Sequence, residues 1–284
     1  MPSDRDDRVL KQTHVLGGFI VPFLLVAFVA LYFFPSRTKD YFAWEIHPDM
    51  TPMIMGAGYI AGAYFFARVV MEKQFHRIHV GFLPVTSFTI FMAVASFSNL
   101  DRFITEHAAF WIWMGLYVTT PILVPLAWLV NRRTDPRTPE PGESRLGAGG
   151  RGALLGAGAA QTAVALSLLI SPSTMIDIWP WTLTPLTAQT LGGWFALPGI
   201  TAIMMGLDGR PSAIHITLQS QLIGLALILL AAVRDWGSFD TSNELSYVFV
   251  VGLGGLLAGL LALELQMRRL ADLGAGQAGD AHAR

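Results

Sequence analysis

"AIHITLQSQLIGLALILLAAV", residues 213–233, contains no Asp, Glu, Lys or Arg. A bilayer core about 30 Å thick takes roughly 20 residues of helix, so this stretch is long enough to cross one. The apolar run is continuous, whereas a barrel strand alternates polar and apolar residues. It therefore reads as a transmembrane helix. Its opening is unusual, with His215 at the third place and Gln219 and Gln221 a turn later.

Seven other stretches share this character: about 15–34, 53–71, 78–98, 108–131, 152–171, 186–206 and 245–267. Together they predict an all-α, multi-pass membrane protein of eight spans. The composition agrees, with 53% hydrophobic and 14% charged residues; a soluble domain carries about 25% charged. The first run is long and lacks a small-x-small site before "PSRTKD", so it is expected to remain as a helix and not to be cleaved. With no cysteine, disulfides, thiolate metal sites and cysteine nucleophiles are excluded. A formal charge of −1 argues against a nucleic-acid partner, which would require a basic stripe.

The basic residues set an orientation. With the N-terminus inside, fifteen Lys and Arg fall on the inner side and four on the outer, a strong positive-inside bias. Both termini are then cytoplasmic, in a cell inner (plasma) membrane. Arginine exceeds lysine, a hint of a GC-rich bacterium. Trp44, Trp111, Trp113, Trp179, Trp181 and Trp236 gather on the outer side and read as an interfacial belt.

The chain also aligns with itself. Pro35, Asp40, Trp44 and Pro48 match Pro172, Asp177, Trp181 and Pro185. After one dropped residue, Thr51, Gly56, Ile78-His79, Phe103 and Arg132-Arg133 match Thr187, Gly192, Ile214-His215, Phe239 and Arg268-Arg269. The matches fall at span boundaries, so the expectation is two four-helix repeats. An even helix number makes them parallel, with a pseudo-two-fold axis along the membrane normal. The units are 1–133 and 152–270, joined by a cytoplasmic linker, 134–151, whose Pro, Gly and charge content marks it as flexible. The tail 271–284 reads as disordered.

His79 and His215 become equivalent positions at cytoplasmic helix starts. Both suit interfacial hydrogen bonding; as a facing pair they would be haem b ligands or a proton relay. Gly58/Gly62 and Gly255/Gly259 have the spacing that lets membrane helices approach closely. Proline at 84, 121, 125 and 198 predicts kinks. Gly192-Gly193 together with Pro198-Gly199 suggests a broken sixth helix, which a membrane tolerates only where it is buried or lines a cavity.

No charge lies near a midplane. The polar side chains at depth are neutral. Thr86, Thr89, Gln189, Thr190, Gln219 and Gln221 are the candidates to line a ligand path. In "WEIHPDMTP", 44–52, Glu45, His47 and Asp49 alternate and would share one face of an extended loop. With Glu106 and His107 they offer donors for a divalent metal. Walker, G-x-S-x-G and H-E-x-x-H motifs are absent, and nothing marks an enzyme.

The leading expectation is a transport-type or small-ligand-binding membrane protein for an uncharged or weakly charged solute, with no cofactor. The alternative is a non-catalytic scaffold or accessory subunit that meets a membrane-protein partner or a second copy in the bilayer. A third reading is a membrane metal- or haem-binding protein or enzyme.

Overall fold

A computed structural model describes the backbone of residues 5–282 and the side chains through Arg269. The described residues form helices and turns, with one isolated bridge between Arg8 and Gln74 and no strand. Eight helices among them are long and apolar enough to cross a membrane. They are α1 (Lys11–Phe33), α2 (Met50–Met71), α3 (His79–Ser98), α4 (Ala108–Asn131), α5 (Ala148–Ile170), α6 (Pro185–Asp208), α7 (Pro211–Arg234) and α8 (Glu244–Arg269). Helices are required here because hydrocarbon offers the backbone no hydrogen-bond partner. The helical backbone of α8 continues to His282.

Helices α2, α3, α6 and α7 are the most buried, and α1, α4, α5 and α8 lie outside them. Within each group of four, α1 packs on α2, α3 on α4, α5 on α6 and α7 on α8. Between the two groups of four, α3 packs on α6 and α2 packs on α7.

The ends of α6 show how the sequence sets boundaries. Thr184 and Thr187 form a capping box and Pro185 takes the first turn, where its missing N–H costs nothing. At the other end Gly209, at φ 72°, takes the left-handed conformation that closes the helix. Pro211 then starts α7.

Helix α6 is continuous through Gly192-Gly193 and Pro198-Gly199, so the expected break is absent. Those glycines serve close packing instead. A Cβ on Gly199 would lie 2.7 Å from Thr162 Oγ1, and one on Gly192 would lie 2.9 Å from the Ala165 carbonyl. Gly58 and Gly62 face Trp194 and Leu24, whereas Gly255 and Gly259 on α8 meet no neighbouring helix within 4 Å among the described residues.

The end opposite the N-terminus is rich in aromatic residues, but most of its tryptophans are not a belt. Trp44, Trp113, Trp179 and Trp181 are buried, while Trp111 is exposed. Trp44 packs with Phe42, Phe103 and Trp113 at ring separations of 4.9, 5.3 and 4.8 Å. Trp181 packs with Trp179, Phe239 and Phe249 at 5.4, 5.1 and 5.2 Å. Beneath each box lies one backbone bond of 2.8 Å, Ile104 N–H to the Ala43 carbonyl and Asp240 N–H to the Pro180 carbonyl. Each aromatic pair adds about 0.5–1.5 kcal/mol beyond area burial, which offsets the cost of the buried Trp44 and Trp179 N–H groups, unpartnered among the described residues.

The segment between the two groups of helices is tied down at the end that carries the N-terminus. Leu146 is buried, and its N–H reaches the Gly209 carbonyl at 2.8 Å. Ser212 Oγ donates to Glu143 at 2.9 Å. Asn131, fully buried, takes hydrogen bonds from the Leu10 N–H at 2.9 Å and the Thr13 hydroxyl at 2.8 Å.

Candidate membrane-facing cavities

Two of the cavities among the described residues lie in the membrane-spanning part. The larger, about 370 Å³, sits between α1 and α4 over α2 and α3. Its walls include Leu24 and Ala27 of α1 and Leu116 of α4. Exposed Val26 and Ile112 flank the opening, so the crevice faces the side where lipid would lie. The smaller, about 90 Å³, is lined by Gln161 of α5, Gln221 of α7 and Phe249 and Leu253 of α8. Trp194 and Gly58 border both.

The hydroxyls of the larger cavity are nearly all satisfied within the chain. Thr89 donates to the Thr86 carbonyl at 2.9 Å, and Thr120 to the Leu116 carbonyl at 2.6 Å. Tyr59 and Tyr117 share one hydrogen bond of 3.0 Å. Two phenols carry two protons, and one shared bond uses one of them. One O–H donor is left over, and the buried Trp194 N–H on the same wall also lacks a partner among the described residues.

Of the six polar residues expected to line a path, Thr89 borders the larger cavity and Gln221 the smaller. Thr86 and Thr190 bond back to the carbonyls of Phe82 and Leu186 at 2.8 and 2.7 Å. Gln189 links Asn99 at 2.6 Å and the Leu169 carbonyl at 3.1 Å. Gln219 joins Tyr64 and His215. These four act as local or interhelical bonds.

His79 and His215 both lie at the N-terminal-side end of their helices, with different partners. His79 Nε2 is 2.8 Å from Asp208 and 3.2 Å from Arg210 Nη2. His215 Nδ1 is 3.2 Å from buried Glu264, and its Nε2 is 2.9 Å from the Gln219 amide.

At the opposite end, His47 Nε2 lies 3.1 Å from Glu45, both exposed. His107 Nδ1 is bonded to the Phe42 carbonyl at 2.8 Å. Asp49 has its pKa raised, by burial first and then by the charge of Asp235, against the pull of His47. Among the described residues, no three of His, Asp and Glu converge as a metal site would need, those expected at Glu45, His47, Asp49, Glu106 and His107 included.

A cluster that the sequence reading passed over lies at the N-terminal end. The Arg210 side chain, 2% exposed, sits between two carboxylates. It reaches Asp208 at 2.7 and 2.8 Å and Asp135 at 2.9 and 3.0 Å. Burial opposes its charge, but the bonds and charges of Asp208 and Asp135 outweigh this and raise its pKa. The Asp135 carboxyl is held down in turn: burial pushes it up, and the Arg210 and Arg137 bonds pull it lower. Beside it, His76 is buried with Nδ1 2.5 Å from Asp7 and Nε2 3.0 Å from Glu140. The only sequence signal was a charged pair in "DGRP", 208–211, between two apolar runs.

No family model matches the chain, and no curated protein or solved structure matches it. The fold and cavities define a multi-pass, helical membrane protein.

Proposed function

We propose that this protein binds an apolar, membrane-soluble small molecule in the cavity between α1 and α4, entering sideways from the lipid, in a transport-type or ligand-binding role. The observation that carries this reading is the space of about 370 Å³ at the bilayer-facing crevice, whose wall carries one spare phenol donor and the unpartnered Trp194 N–H. A ligand with a long apolar body and one or two acceptors suits such a wall. The absence of charge on the lining argues against an ion or a charged solute.

The scaffold is read as two parallel four-helix repeats. Three observations support this. Exchanging α1–α4 with α5–α8 in chain order turns the α3–α6 contact into the α7–α2 contact. The two tryptophan boxes use sequence-matched residues, Trp44, Phe103 and Trp113 against Trp181, Phe239 and Phe249. The cavities match place for place as well: Leu24, Tyr59, Val85 and Trp113 correspond to Gln161, Phe195, Gln221 and Phe249. Gly58 and Trp194 correspond to each other, so their contact marks the pseudo-axis. The basic end is read as cytoplasmic in a bacterial inner membrane, from the arginine asymmetry.

The test is thermal unfolding in nanodiscs with added hexadecanol. A ligand that binds the folded form raises the midpoint with concentration. Ala27→Trp, which fills the cavity, should abolish the rise. No rise in the native protein, or an equal rise in the variant, sinks the reading.

A second reading, an accessory subunit or homodimer, is favoured by α8. Among the described residues Gly252, Gly255 and Gly259 meet no other helix within 4 Å, and small residues allow close helix approach. Light scattering in detergent that finds a monomer with no co-purifying subunit would count against it.

A further inference from the structure

Gln161 and Gln221 lie near the middle of α5 and α7. Both border the smaller cavity. Neither side-chain amide has a hydrogen-bond partner among the described residues, although Ser220 beside them donates to the Ala61 carbonyl at 2.7 Å. An unpaired amide is costly in hydrocarbon, where no water replaces the missing bond. The scaffold does not demand these residues: Leu24 and Val85 stand at the matching places of the larger cavity. That comparison rests on the proposed duplication, but the hydrogen-bond argument does not.

The remaining walls narrow the ligand class. Trp194, Phe195 and Phe249 present aromatic rings, and no charged residue lines the space. Aromatic rings pack well on a flat conjugated ring. Amide NH₂ groups donate to carbonyl oxygens. A space of about 90 Å³ takes a ring and leaves any tail to pass out between α5 and α8. The geometry points to a second binding site, for the ring of a neutral, lipid-soluble quinone-class molecule whose carbonyl oxygens accept hydrogen bonds from Gln161 and Gln221. Binding is non-covalent and involves no electron transfer.

The experiment is equilibrium dialysis of the full chain in nanodiscs against decyl-benzoquinone, with decylbenzene as the same shape without carbonyls. The native protein should bind the quinone saturably. Decylbenzene should bind about tenfold more weakly or worse, as expected when buried hydrogen bonds go unmade. Gln161→Leu with Gln221→Val, which copies the larger cavity, should weaken quinone binding by a similar factor. Ala27→Trp, in the larger cavity, should leave it unchanged. Absence of saturable binding, equal affinity for decylbenzene, or binding unaltered by the double variant would overturn the site. Loss of binding in Ala27→Trp alone would move the quinone to the larger cavity and equally overturn it. If the double variant does not fold, the comparison of the two probes on the native protein still decides.

Discussion

Trp194 occupies the space that Gly58 leaves open: a Cβ on Gly58 would lie 2.1 Å from the indole ring. The pair forms the partition between the two cavities. Gly58→Ala should therefore overpack the centre and cost about 1–3 kcal/mol. Trp194→Gly should leave a void and cost about 3–5 kcal/mol, as large-to-small changes at buried aromatic residues do. Because the two residues share one space, and correspond under the proposed duplication, the combined exchange Gly58→Trp with Trp194→Gly should be more stable than the sum of the single changes implies. Unfolding midpoints of the four proteins in detergent measure this. Strict additivity would argue against a shared central contact.

Arg210 holds two buried carboxylates from different parts of the chain, Asp208 at the end of α6 and Asp135 after α4. Arg210→Met should cost about 3–5 kcal/mol, because it leaves buried charge without a partner. Arg210→Lys should restore less than half, since an ammonium cannot bridge both carboxylates in the forked geometry. A loss below about 1 kcal/mol, the range of an exposed pair, would contradict this.

The His76 latch gives a pH dependence. Burial alone would lower its pKa; the Asp7 bond and charge and the Glu140 charge outweigh it against Arg210, so the net shift is upward. A group with a raised folded pKa contributes stability that is fully present below its ordinary value of about 6.5 and is lost as pH rises through the folded value. The Asp7 N–H donates to the Thr134 carbonyl at 3.0 Å. Its exchange protection factor should fall with rising pH in the native protein and stay flat in His76→Gln. A flat native profile would remove the latch.

Orientation is tested with single cysteines, since the native chain has none. Ser98→Cys and Ser238→Cys should react with an impermeant thiol reagent in intact cells, and Ser144→Cys should not. Labelling at position 144 would invert the topology.

The spans were legible because each is a continuous apolar run between charged or proline-rich turns, and hydropathy reads such runs directly. Which apolar face turns inward was not. Leucine and phenylalanine look alike whether they meet lipid or another helix, so the place of the cavity beside Ala27 and Leu116 had no sequence signal. Trp44 and Trp181 were read as interfacial because an indole is amphipathic, yet Phe103 and Phe239 draw them into packed boxes. Thr86 and Thr190 were read as lining a path, but a hydroxyl on a helix can bond its own preceding turn. Arg210 was counted only as a charge, because its partner Asp135 lies 75 positions away.

The most direct test of the central claim is photolabelling in nanodiscs with a diazirine-bearing hexadecanol, followed by mapping of the modified residues. Binding in the α1–α4 crevice predicts saturable labels on residues that border it, Leu24, Ala27, Leu116 and Tyr117, competed by excess hexadecanol and lost in Ala27→Trp. Labels spread over lipid-facing residues such as Val233 and Val251, with no saturation and no competition, would contradict it.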